Sequence, residues 1–195
     1  MQRITPFLWF EKDAEEAVAY YASVFDDAKV TNTTRYQEGW PGPTGEVMTM
    51  TLTIADQEFV VLNGGPQPKF QFSPAISFVV NCETQEEIDR LWEQLSEGGQ
   101  PDQCGWVTDR YGVTWQIVPR MLDEMLMDGD PRRADRVMQA MLPMTKLEIK
   151  PLEDAPARRP PAEGRRRGTE RTAGRPGPSR LHPPSAGELG LLPGA

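Results

Sequence analysis

Few side chains in this 195-residue chain are equipped for covalent, acid–base or metal chemistry. The one histidine is His182, so no imidazole lies near either cysteine in the sequence, Cys82 or Cys104. Without a base to favour the thiolate, Cys104 in Gln103-Cys104-Gly105-Trp106 reads as an inert thiol rather than a nucleophile. The two cysteines also lack the close spacing of a zinc ribbon or a redox pair. The other candidates are suited to binding. Gln116 and Ser77 sit in apolar runs, Trp115-Gln116-Ile117-Val118 and Ala75-Ile76-Ser77-Phe78, where a strand turns alternate side chains to one face. As a pair they either hydrogen-bond a bound molecule or satisfy each other. Trp9, Met48 and Met50 are their apolar counterparts, either walls of a cavity, where Met adapts to varied shapes, or plain core, while Trp106, with Trp115 on a neighbouring strand, is core or dimer packing, or a stacking platform for a ligand. Arg35 offers a cation beside Tyr36, or is simply solvated. Asp109 precedes Arg110-Tyr111-Gly112, where a short carboxylate bonds turn N–H groups, and that structural role outranks catalysis.

The elements that must hold these residues follow from periodicity. Residues 4–10 form an apolar run that reads as a strand. Asp13 opens a helix with Glu15 and Glu16 at its positive end, burying Ala14, Ala17, Val18, Tyr21 and Phe25. Strands are expected at 30–36, 46–54 and 58–63, with a Gly/Pro loop at 38–45 and a hairpin turn at Ala55-Asp56-Gln57. The order then repeats. A strand at 75–81 precedes a helix opened by the capping box Thr84–Glu87, lined by Ile88, Leu91, Trp92 and Leu95 and ended by Gly98-Gly99. Short strands follow at 100–104, 106–109 and 113–118. The chain thus reads as an α+β fold of two β-α-β-β-β units, then two Met-rich helices at 121–127 and 132–142 that pack outside the sheet or against a second subunit.

Composition sets a boundary. Residues 151–195 contain nine Pro and seven Gly and no aromatic ring. Such a stretch buries too little apolar surface to offset the entropy of ordering it, so residues 150–195 are expected to be a disordered tail behind a domain at 1–149. The same 45 residues hold eight Arg against five acids, a net of +3; the whole chain is −8, leaving −11 for residues 1–150. A strongly acidic domain argues against nucleic acid as a partner. No run approaches the ~20 apolar residues that cross a bilayer. The opening MQRITPFLWF lacks the apolar core of a signal peptide, so the expectation is a cytoplasmic protein with reduced thiols.

The segments ITPFLWFEKDAEEAVAYYASVF, NGGP, AISFVVNCETQEEIDRLWEQL and QCGWVTDRYGVTWQIVP resemble the PhnB-like branch of the vicinal oxygen chelate superfamily. Members are often labelled 3-demethylubiquinone-9 3-methyltransferase. The resemblance covers about residues 2–149 and implies paired βαβββ modules, here about 2–64 and 73–119, with curved sheets around a cavity and usually a homodimer. Many relatives hold a divalent metal at three strand positions. Aligned by the following helices, these fall here at Thr5 or Pro6, at Ala75, and at Gln116. Thr, Pro and Ala supply no imidazole or carboxylate, and Gln116 only a weak neutral oxygen, so no metal and no cofactor are expected.

The methyltransferase label implies S-adenosylmethionine. Asn63-Gly64-Gly65-Pro66, however, leads into another strand rather than a helix N-terminus, and the element order is not a doubly wound parallel sheet. The turn reads as a linker between modules. The functional expectation is a metal-independent binding protein for a small apolar or mixed-polarity ligand, with Ser77, Gln116, Trp9, Met48, Met50 and Trp106 at the site. The alternatives are a metal-dependent lyase or oxygenase of the superfamily, the labelled methyltransferase, or a dimeric protein-interaction module.

Overall fold

The computed structural model describes residues 3–67, 69 and 71–157. Strands β1 (Phe7–Phe10), β2 (Lys29–Arg35), β3 (Val47–Ile54) and β4 (Gln57–Asn63) and helix α1 (Ala14–Val24) form the first module. Strands β5 (Phe78–Cys82), β6 (Gln100–Pro101), β7 (Trp106–Thr108) and β8 (Thr114–Pro119) and helix α2 (Gln85–Ser96) form the second. Each module builds one four-stranded sheet of identical plan, β1-β4-β3-β2 and β5-β8-β7-β6. The first strand runs parallel to the last, and the other pairs are antiparallel. The expected paired βαβββ architecture is present, with strand ends within a few residues of those read from periodicity.

Alternation decides which face meets the helices. Leu8, Leu52, Phe59 and Val61 point to the α1 side of the first sheet, and Trp115 and Ile117 to the α2 side of the second; all are buried in one continuous core. The opposite, open faces carry Phe7 and Trp9 on β1 and Val79 on β5. β1 and β5 are sheet edges, and Phe7 and Val79 remain 57% and 53% exposed.

The two helices are capped by different means. Thr84 accepts from Glu87 N at 3.2 Å, as expected, but the Glu87 carboxylate reaches back one residue further, to Glu83 N at 2.8 Å. Asp13 makes no side-chain cap for α1. Asn63, the last residue of β4, does so instead: its Oδ1 accepts from Ala14 N at 2.9 Å while its Nδ2 donates to Val47 O at 3.1 Å.

Helices α3 (Leu122–Leu126), α4 (Pro131–Met141) and α5 (Ile149–Asp154) make a second, smaller core with Leu122, Val137, Leu147, Leu152 and Ala155. The folded unit therefore extends past the expected boundary at 149, since Leu152 and Ala155 are buried in it. Pro151 lies in the first turn of α5, where its missing N–H breaks no intrahelical bond. The Gln85 side chain closes that turn, accepting from Ile149 N at 2.8 Å and donating to Leu147 O at 3.2 Å. The remainder of the expected disordered tail, from residue 158, lies outside the described residues. No helix among the described residues is long and apolar enough to cross a membrane.

Candidate functional site

The β5–β8 register sets Val79 beside Gln116, and the β7–β8 register sets Trp106 on its other side. Three expected site residues, Ser77, Gln116 and Trp106, therefore share the open face of the second sheet. There Gln116 Nε2 donates to Ser77 Oγ at 2.8 Å. The two satisfy each other, one of the two outcomes open from sequence, and Ser77 Oγ keeps a hydroxyl proton to donate. On the same face the Thr108 and Thr114 hydroxyls pair at 3.2 Å.

The first-module candidates are not gathered with them. Trp9 is in register with Leu62 and so with Thr49, on the open face of the first sheet. Met50 is in register with Val61 and packs against the buried core on the α1 side; Met48, two residues away on β3, shares that side. Trp9, Met48 and Met50, expected as linings of an apolar cavity or as core, therefore do not share one face of the sheet. Alternation along β1 and β3 sends them to opposite sides of one sheet.

Trp9 has a structural occupation. Its indole lies against Gly64, where an added Cβ would fall 2.2 Å from the ring, and its Nε1 donates to Gly65 O at 3.1 Å. The Gly64 and Gly65 N–H groups donate to Phe10 O and Glu11 O, each at 3.0 Å. In a nucleotide-binding loop such N–H groups point at the ligand. Here they are consumed within the fold, and the Asn63-Gly64-Gly65-Pro66 turn does not fit a cofactor cradle.

The metal positions inherited by resemblance fit no better. At the first, given as Thr5 or Pro6, the Pro6 carbonyl accepts from Val60 N at 2.9 Å; the Ala75 side chain has no ligand atom, and the Gln116 amide is bound to Ser77. Among the described residues no group of three His, Cys, Asp or Glu is placed to hold a metal ion.

A cleft of about 680 Å³ opens between the modules. Its floor is a run of four rings in successive contact. Phe25 meets Trp115 at 5.2 Å between centroids, Trp115 meets Phe78 at 5.4 Å, and Phe78 meets Phe59 at 5.0 Å. Ser77, Val79 and Asn81 line one side, along the β5 edge. Asp26, Asp27, Glu87 and Arg90 also line it. Sequence reading missed these residues except Ser77, because the loop after α1 and the β3–β4 turn meet α2 only through the tertiary fold. The one local signal was Glu87, Arg90 and Leu91 sharing a face of α2 at helical spacing.

Beneath the floor lies a buried carboxylate. Asp109 is 3% exposed, and its Oδ1 accepts from Tyr111 N at 2.8 Å and Val113 N at 3.1 Å. Its Oδ2 accepts from Tyr21 Oη at 2.8 Å and Trp115 Nε1 at 2.9 Å. The turn-stabilising role read from sequence is present, and the second oxygen adds a joint between α1 and the second module. Burial first, then the Asp109 charge, pushes the Tyr21 phenol well above its usual 10; the same causes push Tyr20 up to about 12. Burial likewise raises the Cys82 thiol to about 12, so that cysteine is no nucleophile. Cys104 holds φ +58° in a turn whose N–H groups, with those of Gly105, grip Met144 O and Thr145 O. Arg35 donates to Gly45 O from an exposed position.

The family model described as 3-demethylubiquinone-9 3-methyltransferase matches residues 2–118. A solved structure from Bacillus cereus, titled a putative 3-demethylubiquinone-9 3-methyltransferase and PhnB protein, is 39% identical. The match covers 60% of this chain and 99% of that one, with a TM-score of 0.56. A protein from Pseudomonas aeruginosa is 21% identical over 60% of this chain and 96% of its own, with a TM-score of 0.49. A fosfomycin resistance protein from Listeria monocytogenes, solved with Mn(II) and sulfate, is 12% identical over 63% of this chain and 97% of its own, with a TM-score of 0.43. No curated protein matches the chain.

Proposed function

Starting from a chain that belongs to the 3-demethylubiquinone-9 3-methyltransferase family, the PhnB-like branch of the vicinal oxygen chelate superfamily, we propose that it binds a small organic molecule without a metal. The observation that carries this reading is the inter-module cleft of about 680 Å³, lined by Phe25, Phe59, Phe78 and Trp115 and by the β5 edge from Ser77 to Asn81. That size suits a drug-sized ligand, and the lining mixes apolar side chains with Asp26, Asp27, Glu87 and Arg90. Two observations speak against the enzymatic alternatives. The positions that the family resemblance assigns to metal ligands carry Thr5 or Pro6, Ala75 and Gln116, and the double-glycine turn spends its N–H groups on β1 and the residue after it.

A second copy of the chain completes the arrangement. The edge strands β1 and β5 each present an exposed apolar side chain, Phe7 and Val79, with no charge to keep a neighbour away. Val79 also lines the cleft, so a copy seated on that edge closes one side of it.

Elemental analysis of purified protein tests the metal-free reading, which predicts no stoichiometric transition metal. Stoichiometric zinc, nickel, manganese or iron, lost in Gln116→Ala, would overturn it. Calorimetry against S-adenosylmethionine tests the methyltransferase alternative, and no heat of binding at millimolar cofactor is expected.

A further inference from the structure

We infer that Asn63-Gly64 is a covalent modification site that the fold keeps shut, so that deamidation there proceeds only through opening of the first module. The chain has three asparagines, and only Asn63 precedes a glycine; Asn32 and Asn81 precede Thr33 and Cys82. Spontaneous deamidation begins when the backbone nitrogen after an asparagine attacks the side-chain amide carbon. A glycine in that place has no side chain to shield its nitrogen and is free to adopt the turn that ring closure needs. Thr33, by contrast, is β-branched and stiff. In the reaction a bond forms between Gly64 N and Asn63 Cγ, the Asn63 Cγ–Nδ2 bond breaks, and ammonia leaves with the Gly64 amide proton. Water then opens the cyclic imide at either carbonyl, giving aspartate or isoaspartate. Water is consumed and ammonia released, and no oxidant, metal or cofactor is needed.

Folding removes the freedom that this chemistry requires. The attacking Gly64 N–H donates to Phe10 O at 3.0 Å. Both ends of the amide are held: Asn63 Oδ1 accepts from Ala14 N at 2.9 Å, and Nδ2 donates to Val47 O at 3.1 Å. The Asn63 carbonyl accepts from the Tyr36 hydroxyl, and β1–β4 pairing sets Asn63 beside Phe10. The Trp9 indole covers the next position, so close that a Cβ on Gly64 would fall 2.2 Å from the ring. Swinging Asn63 Cγ onto the Gly64 nitrogen breaks the bonds to Ala14, Val47 and Phe10 together. That takes separation of β4 from β1 and from the start of α1. A reactive dipeptide in a closed geometry is modified at a rate set by the population of the open form. The product does not fit back. Either acid has lost the Nδ2 donor and turns an acceptor toward the Val47 carbonyl. Isoaspartate also lengthens the backbone between β4 and the turn by one carbon. Deamidation is thus a one-way step that weakens the module whose opening allowed it.

Peptide mapping of the full chain by mass spectrometry, after incubation in mildly alkaline buffer with and without guanidinium chloride, reads the rate of conversion at residue 63. Conversion should be at least about tenfold slower in the native protein than in denaturant, equivalent to about 1.4 kcal/mol of opening free energy. A smaller ratio overturns the gating. Leu8→Ala removes a buried side chain of β1 far from Asn63 in sequence. It should raise the native rate at least about tenfold and leave the rate in denaturant unchanged. If circular dichroism shows that variant to be unfolded, Leu8→Val takes its place, with an expected rise of about fourfold for the lost methylene. A folded Leu8 variant whose native rate does not rise also overturns the gating. Chain deamidated in denaturant and returned to buffer should unfold at a lower denaturant midpoint than unmodified chain carried through the same steps. Equal midpoints overturn the one-way consequence.

Discussion

Exchanging Asp109 for Asn keeps the side-chain shape and removes one acceptor oxygen from a group that accepts four hydrogen bonds. The favoured orientation keeps the amide oxygen toward the Tyr111 and Val113 N–H groups and turns the NH₂ toward Tyr21 and Trp115. The Tyr21 hydroxyl can rotate to accept from it, but the Trp115 indole only donates. A buried donor left unmade costs ~1–3 kcal/mol. The surviving bonds also lose the charge assistance that makes such bonds roughly twice as strong as neutral ones. Relief from holding a buried charge offsets part of this. The net destabilisation is expected at ~2–4 kcal/mol, against ~1–2 kcal/mol for Tyr21→Phe, which removes a single donor and strands none. Urea denaturation followed by tryptophan fluorescence, extrapolated linearly to water, measures both. The two substitutions should couple by at least ~0.5 kcal/mol in a double-mutant cycle, since they share one oxygen. If Asp109→Asn lies within ~0.5 kcal/mol of the natural protein, or is milder than Tyr21→Phe, the carboxylate is not the joint between α1 and the second module.

Alkali should expose the same region. The Tyr20 and Tyr21 phenols are raised in the fold, so the stability they confer is fully present below pH ~10, the unfolded value, and is lost as pH rises through the folded values. Absorbance at the phenolate band should show fewer tyrosines ionised in native than in denatured protein at pH ~11, and a fully ionised native spectrum there would contradict it. Gly64→Ala should displace the Trp9 indole and cost ~1–3 kcal/mol, read as a lower urea midpoint with an altered emission spectrum. Leu152→Ala should cost ~2–5 kcal/mol if α5 belongs to the folded unit, and no change in melting temperature would return the boundary to residue 149.

The repeated βαβββ plan was legible because each element carries its own period: alternation at 46–54, helical spacing at 84–95, glycines where the chain turns. Long-range relations were not legible. Met48 and Trp9 were grouped as cavity-lining candidates, and only the register shows that they lie on opposite faces of one sheet. Asp109 announced its turn through Tyr111 and Gly112, whereas Tyr21 lies 88 residues away. The α5 helix was hidden by composition, because Pro151 and the Pro-rich stretch after it outweighed the two apolar residues, Leu152 and Ala155, that anchor it.

The cap that Asn63 places on α1 gives the first module a different folding order from the second. Thr84 and Glu87 are local, so the start of α2 can form within a short stretch of chain. The Ala14 N–H group waits for a side chain 49 residues away, which arrives only when β4 has docked beside β1. A cap contributes ~1 kcal/mol, comparable to the deficit of a short isolated helix. The start of α1 is thus secured by closure of its sheet, and its arrival is a late, non-local event. A peptide spanning 83–97 should show measurable helix in water while one spanning 12–26 does not, and synthesis from the N-terminus leaves the first helix frayed until residue 63 has emerged.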